Sequence, residues 1–149
     1  MIKLEVDEKQ INAINDKLNQ LNDFFKKKAI AKLADMVYDK ADDLADEHTQ
    51  TGEMLKSLYM RKNSSFSYEI GFDDKKAPYA KFVHFGSKPH EIKIRNRKFL
   101  RWSDGYDFIF AKKVNHPGYK GDPFLYEALK SQINPFIAWL DRQIANETN

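Results

Sequence analysis

The 149-residue chain has no cysteine. That removes disulfides, thiolate nucleophiles and cysteine-built zinc sites, and leaves only histidine, aspartate and glutamate as candidate metal ligands. Long apolar runs are missing too: every uninterrupted hydrophobic stretch falls far short of the ~20 residues a membrane helix needs. The opening MIKLEVDEKQ lacks the apolar segment of a signal peptide, so synthesis in the cytoplasm and no membrane partner are expected. Neither a G-x-x-x-x-G-K-[ST] nor a G-x-G-x-x-G phosphate loop occurs, and no serine sits in a G-x-S-x-G elbow. The common sequence signatures of nucleotide binding and serine hydrolysis are therefore excluded.

What is present is a chain of one-domain size, 42% hydrophobic and 32% charged, in the range of a globular protein able to bury a single core. Its net charge of +3 hides a division. Residues 1–50 carry 8 Lys/Arg against 11 Asp/Glu, while residues 51–121 carry 15 against 7. The middle of the chain is strongly basic, as suits an acidic partner, whether nucleic acid or protein.

Glycine and proline are scarce, six and five residues, and their placement divides the chain. Asp7 and Gln10 form a capping-box pattern, followed by Ile11, Ile14, Leu18, Leu21 and Phe25 at helical spacing, and the periodicity resumes through Leu33, Val37 and Leu44. One long helix or two nearly collinear ones are predicted over 7–48, with the bend at the lysine run 26–28. One unbroken helix of that length would be ~63 Å long, so it either breaks or partly projects to meet a partner. Thr49 or Thr51 is the expected cap of a short turn that buries Met54, Leu55 and Leu58. Residues 58–72 alternate as a β-hairpin about NSSF. A short helix after Pro78 gathers Tyr79, Phe82, Val83 and Phe85 and stops at Gly86. HEIKI, KFLRW and DFIFAKKV read as three strands, the first two joined by the basic turn RNRK. Asp122 as cap and Pro123 at the first helical position open the last helix, whose stripe begins with Phe124 and Leu125, and Pro135 should kink it. This order, without alternating βα units, predicts a single α+β domain: a long N-terminal helical segment, an antiparallel sheet with a short inserted helix, and a C-terminal helix packed on the sheet.

Chemistry is sparse. His48, His84, His90 and His116 show no metal-ligand spacing, so no metal site and no cofactor are expected. Lys93, Arg95, Arg97, Lys98 and Arg101 crowd nine residues, with Lys112 and Lys113 further on and Phe99, Trp102 and Tyr106 among them. Such a surface can hold single-stranded nucleic acid through phosphates and base stacking; strand alternation equally allows the aromatics to be core. The segment NHPGYKGDPFL, residues 115–125, looks like an active-site loop, yet its glycines and prolines each have a backbone reason, turning the chain and starting a helix.

Three blocks taken together, YAKFVHFGS, HEIKIRNRKFLRW and FAKKVNHPGYKGDPFLYEAL, resemble the small tail-completion or head-tail joining proteins of long-tailed double-stranded DNA phages, of the minor tail protein Z type; upstream, TGEMLKSL is similar to that family's T-G-x-L-x-x-S-I. By position, Tyr79, Ala80, Val83, Phe85 and Gly86 match the first motif, Arg95, Asn96, Arg97, Lys98, Leu100 and Arg101 the basic turn and strand, and His116, Pro117, Gly118, Pro123, Phe124 and Leu125 the last. His84, Ser87, Ile94 and Phe99 depart from the usual acidic residue, Thr, Pro and Ala. The resemblance implies a non-enzymatic virion protein at the head-tail junction, made in the bacterial cytoplasm and working as a ring, hexameric by the tail's symmetry. Its expected partners are further copies of itself, tail terminator, tail-tube or head-completion proteins, and in passing the phage DNA. The basic residues Arg95, Asn96, Arg97, Lys98, Arg101, Lys112 and Lys113 are its expected interface. An RNA-cleaving toxin, using Lys98 or His116, or a nonspecific nucleic-acid binder is the alternative.

Overall fold

The computed structural model describes residues 8–48 and 52–147, and the fold is α+β. The expected caps at Asp7, Thr49 and Thr51 lie outside the described residues; Gly52 occupies the N-cap position of the short third helix. The chain divides into two compact units, one formed by Lys81–Asp122 and the other by the segments before and after it.

In the larger unit, α1 (Glu8–Leu18) and α2 (Asp23–Asp46) are separate helices. The break falls at residues 19–22, ahead of the lysine run. Lysine is a good helix former, whereas asparagine competes for backbone hydrogen bonds and caps: the Asn22 side chain accepts the Phe25 N–H at 3.1 Å. Ala29, Ala34, Val37, Ala41 and Ala45 make the buried stripe of α2, and small side chains there permit close packing. Leu21, Ala29, Phe136 and Leu140 form a core cluster, joined by half-buried Ile14, Leu18, Phe25 and Trp139. A Lys17–Asp141 ion pair ties α1 to the last helix.

Helix α3 (Glu53–Ser57) buries Met54 and leads into the antiparallel pair β1 (Leu58–Ser64) and β2 (Ser67–Phe72), in register from Leu58↔Phe72 to Lys62↔Tyr68. The C-terminal helix, α5 (Phe124–Glu147), packs on this pair and on α2: the Phe124 ring meets the edge of Phe72 at 5.2 Å between centroids. Its first carbonyl belongs to Pro123, which accepts from Tyr126 and Glu127 N–H. The start is thus one residue later than the Asp122 cap predicted. The helix continues through Pro135.

Helix α4 (Ala80–Phe85) leads into the smaller unit. That unit is one long, interrupted hairpin. β3 (His90–Lys93) pairs with β6 (Lys113–His116), and β4 (Leu100–Ser103) pairs with β5 (Phe108–Ala111), both antiparallel. RNRK therefore does not turn between two paired strands. Residues 94–99 loop out opposite the single residue Lys112, whose carbonyl accepts the Ile94 N–H at 3.2 Å. A tight reversal favours a pair such as Asn-Gly or Asp-Gly, and in 94–99 Asn96 is followed by Arg97 with no glycine; the reversal occurs at SDGYD instead, where Gly105 has φ +99°.

Candidate functional site

The basic residues singled out by their spacing gather on the smaller unit. Arg95, Asn96, Arg97 and Lys98 occupy the exposed loop, Arg101 follows on β4, and Lys112 faces the loop across the ladder. Lys93, Ile94, Phe99 and Leu100, with Arg95, Asn96, Arg97 and Arg101 but not Lys98, shape a cleft of about 480 Å³. Carboxylates are few here. Glu91 holds Lys93 at 2.8 Å and Lys113 at 3.4 Å, and no ion pair is formed by Arg95, Arg97, Lys98, Arg101 or Lys112 among the described residues. Across Lys81–Asp122 there are ten Lys/Arg against four Asp/Glu, a net charge of +6. Uncompensated guanidinium groups in a cleft make an anion-binding surface.

The aromatics beside these cations are not core. Every residue from 101 to 110 is exposed, with Phe99 half exposed and Tyr106 97% exposed. All the fully buried hydrophobic residues of the described chain lie outside Lys81–Asp122, where the one buried side chain is His84. The Arg101 guanidinium lies 4.6 Å from the Phe108 ring centroid, a cation–π pair on one face of the β4–β5 ladder. The turn of this hairpin is held by the Asp104 carboxylate, which accepts the Tyr106 and Asp107 N–H groups at 2.9 Å each. Those bonds, chiefly that from Asp107, hold its pKa below the usual aspartate value.

The family-like glycine and proline residues form a joint within the same unit. His116 ends β6, and its Nδ1 accepts the Gly118 N–H at 3.0 Å. Ser87 and Tyr119 exchange backbone hydrogen bonds of 2.8 and 2.9 Å, and the Asp122 N–H donates to the Val83 carbonyl. Gly118 has φ +86°, and a Cβ there would lie 2.5 Å from the Ser87 oxygen, so only glycine permits the crossing. Gly86 ends α4 by donating to the Phe82 carbonyl. His116 stacks on His90, its register partner, at 5.0 Å between ring centroids, and His90 bonds the Lys88 carbonyl through Nδ1. Both rings thus have structural roles.

The short aromatic helix differs from its prediction. Phe82, Phe85 and Tyr79 are exposed and Val83 is half-buried, while Ala80 and His84, four residues apart, are buried. Burial pushes the His84 imidazole pKa down, opposed in part by the nearby Asp122 carboxylate. Pro117 is exposed, and Phe124 and Leu125 are buried in the larger unit.

Two features lie outside the sequence-derived set. An apolar groove of about 350 Å³ in the larger unit is lined by Ile30, Leu33, Val37, Ile70, Leu125 and Leu129 among others; its lining has no charged residue. On α2, Asp35, Asp39, Asp42, Asp43, Asp46 and the following Glu47 are all exposed and form no ion pair among the described residues. Asp43, Asp46 and Glu47 sit at the last turn and C-cap, where the macrodipole disfavours negative charge, and Asp35–Asp39, Asp39–Asp43 and Asp42–Asp46 repel at i,i+4. The Asp35, Asp39, Asp43 ladder is readable from the sequence.

Among the described residues no group of three or more His, Asp or Glu side chains is placed to hold a metal ion. No helix of the described residues is long and apolar enough to cross a membrane. The chain matches no protein family, no curated protein and no solved structure.

Proposed function

We propose that this chain is a virion structural protein of a long-tailed double-stranded DNA phage, a tail-completion or head-tail joining subunit that works in a ring at the neck without catalysis. One observation carries this reading. Of the blocks that resemble the head-tail joining family, the one around Val83–Ser87 and the one around His116–Asp122 are far apart in sequence, yet they bond to each other through Ser87 and Tyr119 and through Asp122 and Val83. Residues chosen by resemblance thus form one joint, which carries a basic, coreless hairpin suited to a partner. A ring subunit needs two unlike surfaces, and the basic loop 94–99 and the acidic outer face of α2 are such a pair. The partner of the loop is a neighbouring copy or a tail protein.

The test is particle assembly from an inducible prophage or phage carrying the gene. Triple reversal to glutamate at Arg95, Arg97 and Lys98 is expected to give filled heads and finished tails that do not join, seen by electron microscopy. Normal joined particles would refute the reading.

A second reading, a nonspecific nucleic-acid-binding module, is favoured by the guanidinium groups without ion pairs beside exposed Phe99 and Tyr106. It requires an affinity that falls steeply with salt. For an RNA-cleaving version, His116 would have to act with its Nδ1 already engaged by Gly118, and loss of cleavage in His116→Ala would be its signature.

A further inference from the structure

The β4–β5 hairpin presents an apolar face that stays exposed. Antiparallel register puts Arg101 opposite Phe110 and Ser103 opposite Phe108, so these four share one face. Phe108 and Phe110 are 61% and 60% exposed. A two-stranded hairpin is at best marginally stable alone in water, and apolar patches of this kind mark interaction sites. Trp102, opposite Ile109, lies on the other face; on this one Phe108 and Phe110 together offer roughly 240 Å² at ~200 Å² per ring side chain. That is about a third of the ~800 Å² one partner contributes to a stable protein interface.

The occupant can be chosen by charge. The hairpin face carries Arg101, and Arg97, Lys98 and Lys112 adjoin it without ion pairs. Two such faces brought together would repel, which disfavours a two-fold contact. The complementary surface is on the same chain: the C-terminal half of the outer face of α2, with Asp35, Asp39, Asp42, Asp43 and Asp46 exposed, while nearer the N-terminus that face carries exposed Lys28 and Lys32 and Phe24, 71% exposed. A chain carrying both halves of an interface on different elements associates head to tail, each copy giving one and receiving the other, and closes as a ring when the rotation allows.

We infer that the Phe108–Phe110 face of one copy docks on the acidic outer face of α2 in a second copy, in a head-to-tail arrangement. The inference rests on the ring reading for its partner and goes further by naming the two surfaces. The acidic stripe, unfavourable in the isolated chain, is relieved by the cations of the neighbour.

The absence of native cysteine gives a clean test. Ser103→Cys, on the hairpin face, and Asp39→Cys, on the helix, are purified separately, checked for unchanged circular dichroism, and treated with a short bismaleimide alone and mixed. A crosslinked dimer is expected in the mixture and neither variant alone should give one; adding Phe108→Ser and Phe110→Ser to the Ser103→Cys chain should cut the yield at least tenfold. Dimers from Ser103→Cys alone would mean a two-fold contact and overturn the inference, as would no crosslinking in the mixture. A single-stranded oligonucleotide that binds the chain, and loses binding with the two serine substitutions, while the mixture gives no dimer, would assign the hairpin to nucleic acid and also overturn it. Particle joining is scored separately. Crosslinking retained with normal joining by the charge-reversed protein would sink the phage reading and leave the docking intact, and failed crosslinking with lost joining would do the reverse.

Discussion

Replacing Gly118 by alanine and comparing it with the same change at Gly105 isolates how tightly the joint is built. Both glycines have positive φ, +86° and +99°, so each substitution carries the left-handed penalty of about 1–2 kcal/mol. Gly105 has nothing within 4 Å of an added Cβ, and its cost stops there. At Gly118 the added Cβ would lie 2.5 Å from the Ser87 carbonyl oxygen and 2.9 Å from the Pro89 nitrogen, both backbone atoms. The two segments must part, which breaks the paired Ser87 and Tyr119 hydrogen bonds, worth about 1 kcal/mol each. The sum is about 3–4 kcal/mol for Gly118→Ala. Amide hydrogen exchange reads this directly, since local opening sets protection. With ~1.4 kcal/mol per factor of ten, the Ser87 and Tyr119 amides should exchange a few hundred times faster in Gly118→Ala. Gly105→Ala should accelerate amides of its own turn by roughly tenfold and leave those two unchanged. Equal loss of protection at Ser87 and Tyr119 in both variants would refute the close-approach argument.

Legibility in the sequence follows how local the deciding interaction is. The stripe of α5 is readable because Phe124, Leu125, Ile133, Phe136 and Leu140 recur at helical spacing and all become buried. The hairpin β1–β2 and the end of α4 at Gly86 are readable for the same reason. The break between α1 and α2 lies away from the charge run because Asn22, a cap with a side-chain oxygen three residues ahead of Phe25, sets the boundary. RNRK is not a strand-joining turn because pairing partners are chosen by the ladder, and β3 finds β6 rather than the strand that follows it.

The site divides in the same way. The cations are visible in sequence as a cluster, whereas their separation from carboxylates is a three-dimensional fact, since Glu91 engages Lys93 and Lys113 with its two oxygens. Alternation does not decide whether Phe99 and Trp102 are core, because a period of two gives two faces and does not say which is covered. The exposure of both faces of β4–β5 breaks the usual agreement between pattern and burial, and such disagreements concentrate where function is. His116 shows the converse: it looks chemical in NHPG, and its ring nitrogen serves the Gly118 N–H.

Two further perturbations test local physics. Asn22→Ala removes the side-chain acceptor for the Phe25 N–H and should cost about 1 kcal/mol, read as a lower urea midpoint at unchanged m-value; an unchanged midpoint would mean the break is held by other groups. His84 predicts how stability follows pH. Its buried ring has a folded-state pKa below the unfolded histidine value, burial being the larger cause and Asp122 acting against it. The unfolded chain therefore takes up the proton first as pH falls. The contribution of this residue is fully present above the unfolded pKa of ~6.5 and is lost progressively below it, at no more than ~1.4 kcal/mol per pH unit, until the folded pKa is reached. Urea midpoints measured from about pH 8 to about pH 5 should fall over that window in the parent and stay flatter in His84→Gln. Asp122→Asn, which removes the opposing carboxylate, should steepen the fall, because the folded-state pKa drops further. The same slope in parent and His84→Gln would place the acid sensitivity elsewhere, and a slope unchanged in Asp122→Asn would show that its charge does not reach the ring.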